Sequence, residues 1–196
     1  MLQIEPVTLS TDLLTLRPLS LAEVPALAKA ASDGALWEKK TTTVPRPEGF
    51  AAYVEAALKL QAAGLALPFA TVVNEGNQVV GSTRFMNIDA ANHRVEIGTT
   101  WIARSWQRTF VNTHAKFLML RHAFETLGCI SVEIRTHAGN EQSRAAIERL
   151  GAKLDGILRH HMIMPDGHIR DTATYSIVKD EWPAVKAGLE RRMAAF

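Results

Sequence analysis

The chain has 196 residues, 47% of them hydrophobic, and its 22 Lys and Arg against 20 Asp and Glu give a formal net charge of +2. That is enough chain for one substantial core and too little to suggest two, so a single domain over residues 1–196 is expected, with no basic stripe for nucleic acid and no run of about 18 apolar residues to cross a membrane. The lone Cys129 can form no internal disulfide and the N-terminus lacks a basic, apolar leader, so the expected compartment is a reducing cytoplasm.

From the N-terminus, residues 13–19 alternate apolar and polar side chains as a strand does. Ser20 stands where a helix cap would, with Glu23 three residues on as in a capping box, and a helix is expected through L-A-E-V-P-A-L-A-K-A-A. Residues 35–49 carry Lys39, Lys40, three consecutive threonines, Pro45 and Pro47 and read as a loop, a candidate substrate wall, ahead of an amphipathic helix over 50–63. Residues 68–73 and 79–87 are β-rich, and N-E-G-N between them tolerates the positive φ of a hairpin, so they are expected to pair antiparallel. Residues 94–102 make a third strand, in which strict alternation puts Val95, Ile97, Thr99 and Trp101 on one face and Glu96, Gly98 and Thr100 on the other.

Residues 111–127 are apolar around most of the circumference, with Lys116, Arg121, His122 and Glu125 as the polar minority, which predicts a buried helix stopped by Gly128. Ile130, Val132 and Ile134 alternate with Ser131, Glu133 and Arg135, a strand reached through a helix and so expected parallel to the one before it. Asn140 is placed to cap a short helix ending at Gly151; a hairpin follows, 156–164 and 169–178 around P-D-G-H, and Asp180 opens a last helix carrying Trp182. Antiparallel runs with two long helices and one βαβ crossover specify a mixed α/β domain around a twisted, mostly antiparallel sheet flanked by helices.

Residues 95–151 hold the chemistry. They read V-E-I-G-T-T-W-I, then A-R-S-W-Q-R-T-F-V-N-T-H-A-K, the apolar helix, I-S-V-E-I-R-T, and N-E-Q-S-R-A-A-I-E-R-L-G. A strand feeding a tight polar loop into a helix N-terminus presents free backbone N–H groups and the positive end of the helix dipole to a phosphate. The stretch resembles the acetyl-CoA site of the GNAT superfamily of N-acetyltransferases, and within it the ribosomal-protein, RimJ/RimL-like branch. The likeness rests on E-I-G with an aromatic after it, on the loop pattern Q/R-x-x-G-x-G/A falling on Gln107, Arg108, Thr109, Phe110, Val111 and Asn112, on Thr113 and Ala115 of a T-E-A, and on N-x-x-S with L-G-A beyond the next strand. Phe110 stands where the first glycine belongs, Asn112 at the second, and His114 replaces the glutamate of T-E-A. Every residue but Pro offers a backbone N–H, so Phe110 is compatible with binding if its φ is negative and its ring turns away.

The resemblance implies a GNAT-like fold in which residues 107–113 cradle the CoA pyrophosphate, with Arg108 offering a fork of donors. It implies that the strand carrying Trp101 and Ile102 splays from its parallel neighbour, that their main chain holds the pantetheine, and that a backbone N–H there polarises the thioester carbonyl. Asn140 would bond the pantetheine and Ser143 would bring a hydroxyl near the CoA sulfur to protonate the leaving thiolate. Many relatives use a tyrosine in or near the short helix; none stands there, and Tyr175 is the further candidate. On the residues alone, Asn140 reads equally well as a helix cap, Ser143 as an ordinary first-turn serine and Trp101 as a core aromatic.

An amine acceptor arrives mostly protonated, since an α-amino group titrates near ~8 and a lysine near ~10.4. Glu96 is the positional candidate for the base, acting directly or through a water; a structural glutamate facing Arg94 or Arg135 is the equal alternative, with His160, His161 and Asp171 in reserve. The expected activity is acetyl-CoA-dependent N-acetyl transfer to a primary amine, a protein N-terminal α-amino group or a small amine, by direct attack in a ternary complex and with no metal. Acetyl-CoA and the amine are the expected partners, of a monomer or homodimer. Phe110, His114 and the missing tyrosine prompt the alternatives: a catalytically silent CoA-binding or sensing module, and a fold relic that acts through its surfaces.

Overall fold

The computed structural model describes residues 4–39, 43–164 and 166–196; Lys40 with two threonines of the 35–49 loop, and Pro165 of the P-D-G-H turn, lie outside them. Eight strands form one sheet: β1 (Leu9–Ser10), β2 (Leu14–Pro18), β3 (Leu67–Val73), β4 (Gln78–Asp89), β5 (Arg94–Ile102), β6 (Ser131–His137), β7 (Lys153–Ile163) and β8 (Ile169–Val178). Their order is β1-β2-β3-β4-β5-β6-β8-β7, and every neighbouring pair is antiparallel except β5–β6. That one parallel step is the crossover expected of residues 94–134, because a helix separates the two strands.

Helices cover both faces. On one side α1 (Val24–Ser32) and α2 (Phe50–Ala62) bury Leu27, Phe50 and Val54 against Ala70, Val72 and Trp101. On the other, α3 (Phe110–Arg121) and α5 (Trp182–Met193), with the short α4 (Glu141–Arg149), pack on Leu67, Phe69, Phe85, Ile97 and Val132. The central β3 is therefore buried at every residue and reads as the continuous apolar run L-P-F-A-T-V-V rather than an alternation.

Several local expectations give way to competing physics. Ser20 makes no side-chain cap bond: Leu21–Glu23 is a 3-10 turn, α1 starts at Val24, and Glu23 pairs instead with Arg17 at 2.9 Å. Pro25 occupies the first turn of α1, where its missing N–H would be unpaired anyway. The long helix expected over 111–127 is α-helical from Phe110 only to Arg121, then loosens into a π turn, His122–Thr126, before Gly128 at φ +66°. The last helix begins at Trp182 rather than Asp180, and it is Glu181 whose carboxylate accepts the Val178 N–H at 3.1 Å.

The correction that matters for the site is in β5. Arg84 lies opposite Gly98 but Ser82 lies opposite Trp101, so Thr99 and Thr100 together occupy the space of one residue of β4, and Thr99 sits at φ +47°. One extra residue reverses the parity of the pleat. Val95 and Ile97 share one face as expected, and it is the face toward α3; beyond the bulge Thr100 takes that face and Trp101 crosses to α2, where its ring meets Phe50 at 5.7 Å.

Candidate active site

β5 and β6 pair only at Arg94–Ser131, Val95–Val132 and Glu96–Glu133. Beyond that point β5 stays with β4 as far as Ile102 and β6 stays with β8 as far as His137, so the two parallel strands open into a V with Glu96 at its apex. α3 begins after the carboxyl end of β5 and α4 after that of β6, so two helix N-termini stand at the mouth of the gap. A crevice beyond the carboxyl ends of parallel strands, fringed by free helix N–H groups, is where such sheets bind ligands.

The connection into α3 is tied down. The backbone N–H groups of Arg104 and Ser105 donate to Asp33, and the Gln107 side-chain amide donates to the Ile102 carbonyl at 2.8 Å. Gln107 thus fixes the end of β5 rather than extending from the loop, and Ile102 has its carbonyl occupied. Arg108 adopts a left-handed φ of +63°, a conformation that costs a side-chain-bearing residue about 1–2 kcal/mol. Thr109 caps α3: its hydroxyl donates to the Trp106 carbonyl at 2.8 Å and receives the Val111 N–H at 3.4 Å. Phe110 is the first helical residue, outside the positive-φ region, and its ring packs edge-on against Trp106 at 6.0 Å, His114 at 5.5 Å and Phe196 at 6.3 Å. Val111 is in the core, and Asn112 and Thr113 complete the first turn, where N–H groups have no partner within the helix.

His114, in the place of the branch glutamate, binds the Thr11 hydroxyl through Nδ1 at 2.8 Å, and burial holds its pKa below the ordinary range. It fastens α3 to the β1–β2 turn. Two residues further, Lys116 is buried with its ammonium on the Thr100 hydroxyl at 2.7 Å, which in turn contacts Thr83 at 2.8 Å; burial lowers its pKa to about 7. Sequence reasoning treated Lys116 as part of a polar minority, and the bulge that turns Thr100 toward it was the missing signal.

Glu96 is 6% exposed on the face opposite α3. Its Oε2 accepts from Asn87 Nδ2 at 2.7 Å and lies 3.5 Å from Arg135 Nε, while Arg135 also pairs with Glu133, and Arg94 reaches Glu133 at 3.3 Å. Burial raises the Glu96 pKa, opposed by the Asn87 hydrogen bond and the Arg135 charge. Of the two alternatives left open for Glu96, the ion pair with Arg135 is therefore real, and the carboxyl is nonetheless displaced toward the range of a base. His160 and His161 are on β7, three strand spacings from β5, about 14 Å, and Asp171 is on β8, two spacings or about 10 Å away. There Asp171 accepts the His160 N–H at 2.7 Å and His161 contacts Thr172 at 3.1 Å.

At α4, Asn140 is the cap, its Oδ1 accepting the Ser143 N–H at 3.1 Å, and Ser143 lies in the first turn with a half-buried side chain. Tyr175 is fully buried; its hydroxyl donates to Glu148 at 2.8 Å and accepts from Arg144 at 2.9 Å, so its proton is committed within α4. Among the described residues no group of three or more His, Cys, Asp or Glu could hold a metal, and no helix is long and apolar enough to cross a membrane.

Residues 14–153 match the acetyltransferase (GNAT) domain family. The curated relative "Putative ribosomal N-acetyltransferase YdaF" of Bacillus subtilis (strain 168) is 35% identical over 106 residues, 54% of this chain and 57% of that protein, so the alignment spans little more than half of the relative. The crystal structure of a GCN5-related N-acetyltransferase from Brucella melitensis superposes with a TM-score of 0.85 at 29% identity, covering 97% of this chain and 86% of that one. RimL, the ribosomal L7/L12 α-N-protein acetyltransferase, solved in complex with coenzyme A, superposes at 0.76 with 20% identity over 89% of this chain and 99% of its own, a likeness of fold. With a family match over most of its length and the splayed parallel pair in place, the chain belongs to the GNAT acetyltransferase family.

Proposed function

We propose that the chain transfers the acetyl group of acetyl-CoA to a primary amine, in the first place a protein N-terminal α-amino group, by direct attack within a ternary complex. The observation that carries this is the V between β5 and β6, with Glu96 at its apex and the N-termini of α3 and α4 at its mouth. Unpaired main-chain groups along a strand edge and the turned-away ring of Phe110 suit an extended, phosphorylated ligand. On this reading Arg108, Thr109, Phe110, Val111, Asn112 and Thr113 hold the pyrophosphate, mostly through backbone N–H groups, with Gln107 keeping the strand end in place. The main chain of Trp101 and Ile102 borders the pantetheine arm, and Asn140 adds a polar contact. Glu96 takes the proton of the attacking amine, directly or through a water, and the Ser143 hydroxyl is the group nearest in chain position to return one to the thiolate. The preference for an α-amino acceptor draws on the names of YdaF and RimL.

Isothermal titration with acetyl-CoA, beside the Phe110→Gly variant, followed by thiol-release assays on peptides with free or blocked N-termini, tests the reading. Micromolar binding and mass-spectrometric acetylation of free α-amino groups are expected. Binding without turnover on any amine would make the chain a silent CoA-binding module. No binding by wild type, with gain in Phe110→Gly, would show the loop to be blocked and end the transferase reading.

A further inference from the structure

One diagonal step from Glu96 across β4 and β5 lies a cation that pairs with no acidic group among the described residues. Arg84 is the one buried arginine among the described residues, 7% exposed, and its Nε and Nη2 have no hydrogen-bond partner. The strand register sets Arg84 opposite Gly98 and Met86 opposite Glu96, so Arg84 and Glu96 are diagonal neighbours on one face, about 7–8 Å apart at Cα. A Cβ built on Gly98 would lie 3.1 Å from Glu96 Oε1, which puts the carboxylate over the residue directly across from Arg84. Gly98 leaves room there that a side chain would fill, since a Cβ on it would also come within 2.6 Å of the Met86 thioether. On its far side the guanidinium is 5.2 Å from the ring of Tyr53, whose hydroxyl receives Trp101 Nε1 at 3.3 Å, so Arg84 is held beneath α2 at the bulge of β5.

The other arginines near Glu96 have polar partners: Arg135 pairs with Glu133 and Glu96, Arg94 with Glu133, and Arg170, on β8, donates to the Thr172 hydroxyl at 3.1 Å. One cation–π contact does not replace the hydration of a buried guanidinium, whose planar fork is built to take an oxyanion in two parallel hydrogen bonds. We propose that Arg84 determines acceptor specificity, recognising a carboxylate on the acceptor a few bonds from the amine that Glu96 deprotonates. That carboxylate is either the α-carboxylate of a free amino acid or an acidic side chain next to a peptide N-terminus. The proposal rests on the acetyl-transfer reading for what the amine does there.

The experiment uses the full chain and acceptor pairs that differ only in the carboxylate: the peptides Ser-Asp-Ala-amide and Ser-Asn-Ala-amide, and free serine against serinamide. kcat/KM is measured with acetyl-CoA, and binding of the same compounds is titrated into CoA-loaded protein, where no turnover occurs. A preference of about tenfold or more for the carboxylate member is expected in both readouts, the size of one charge-assisted hydrogen bond in a buried site. The peptide pair and the serine pair identify the source, and serinamide's more acidic ammonium biases its pair against the expectation. In Arg84→Gln the preference should fall to within about twofold, mainly through KM, while Arg84→Lys keeps part of it because it keeps the charge and loses the fork. Equal treatment of both members by wild type, in transfer and in binding, overturns the proposal without any variant; so does a preference that survives Arg84→Gln. Tighter binding of the carboxylate member with no transfer to any acceptor would leave the Arg84 subsite standing and remove the transferase reading instead.

Discussion

Lys116 sets the clearest residue-scale expectation. Its amine lies in the core between α3 and β5 with one neutral partner, Thr100, and burial lowers its pKa to about 7, from ~10.4 in an unfolded chain. Between these two values the unfolded chain binds a proton that the folded chain does not, so stability should rise with pH across that window and be lowest below it. Lys116→Met fills similar volume without the charge and leaves Thr100 its contact with Thr83. Thermal melts should show the variant more stable than wild type near neutral pH, with the slope between about pH 7 and 10 abolished; a flat wild-type profile would contradict the burial argument. Glu96 works in the opposite sense. Its carboxyl is pushed up by burial, so the acid limb of kcat/KM should lie above the range of an ordinary glutamate, with activity rising as Glu96 loses its proton. Glu96→Gln should lower kcat by about 10²–10⁴ and erase that limb while acetyl-CoA affinity holds. A change in melting temperature alone would return Glu96 to a structural partner of Arg135.

At the scale of elements, α4 separates two roles that one residue combines. Asn140 caps the helix through Oδ1, and the proposed pantetheine contact uses the same side chain. Asn140→Ala should cost about 1 kcal/mol from the lost cap, whereas Asn140→Asp keeps the acceptor and the stability. If the amide also donates to the ligand, Asn140→Asp raises the KM for acetyl-CoA with no change in melting temperature; unchanged KM in both variants would confine Asn140 to capping. The cap was legible in N-E-Q-S, and the parallel pairing of β5 and β6 in residues 94–134, because strands joined through a helix run parallel; their opening into a V was an expectation of the family resemblance. What escaped the sequence was parity. Nothing in G-T-T-W-I marks Thr99 as the extra residue, since the bulge is decided by how β5 meets β4 across the sheet, and with it went the facing of Thr100, Trp101 and the buried Lys116. Arg84 escaped for a related reason: an arginine inside V-V-G-S-T-R-F-M looks like a solvated position of an alternating strand until α2 is seen to cover it. Ser20 and Glu23 failed as a capping box because a tertiary partner, Arg17, outbid a local one.

Across the whole molecule, the sheet is joined at its centre by three residue pairs of β5 and β6, while β3–β4 and β6–β8 pair along seven positions each. The two halves of the sheet are held together mainly by α3 and α5, whose core cluster takes in residues from both, Phe85 and Ile97 on one side and Val132 and Tyr175 on the other. A ligand lying in the V, with its phosphates on the N-terminus of α3 and its arm beside α4, would touch both halves where they are least connected. Binding to the folded chain alone at a hundredfold excess over Kd contributes about 2.7 kcal/mol, which in a domain of this length raises Tm by roughly 5–11 °C. The increase should come with slower amide exchange in residues 97–102 and 134–137 and in the first turns of α3 and α4, and not in β1 to β3. Protection confined to the α3 N-terminus would mean that a phosphate is held there while the V stays open, and a uniform slowing over the whole sheet would mean that the ligand acts on global unfolding alone. Hydrogen exchange with and without acetyl-CoA distinguishes the three, and only the first pattern is what a site shared between the two halves of the sheet produces.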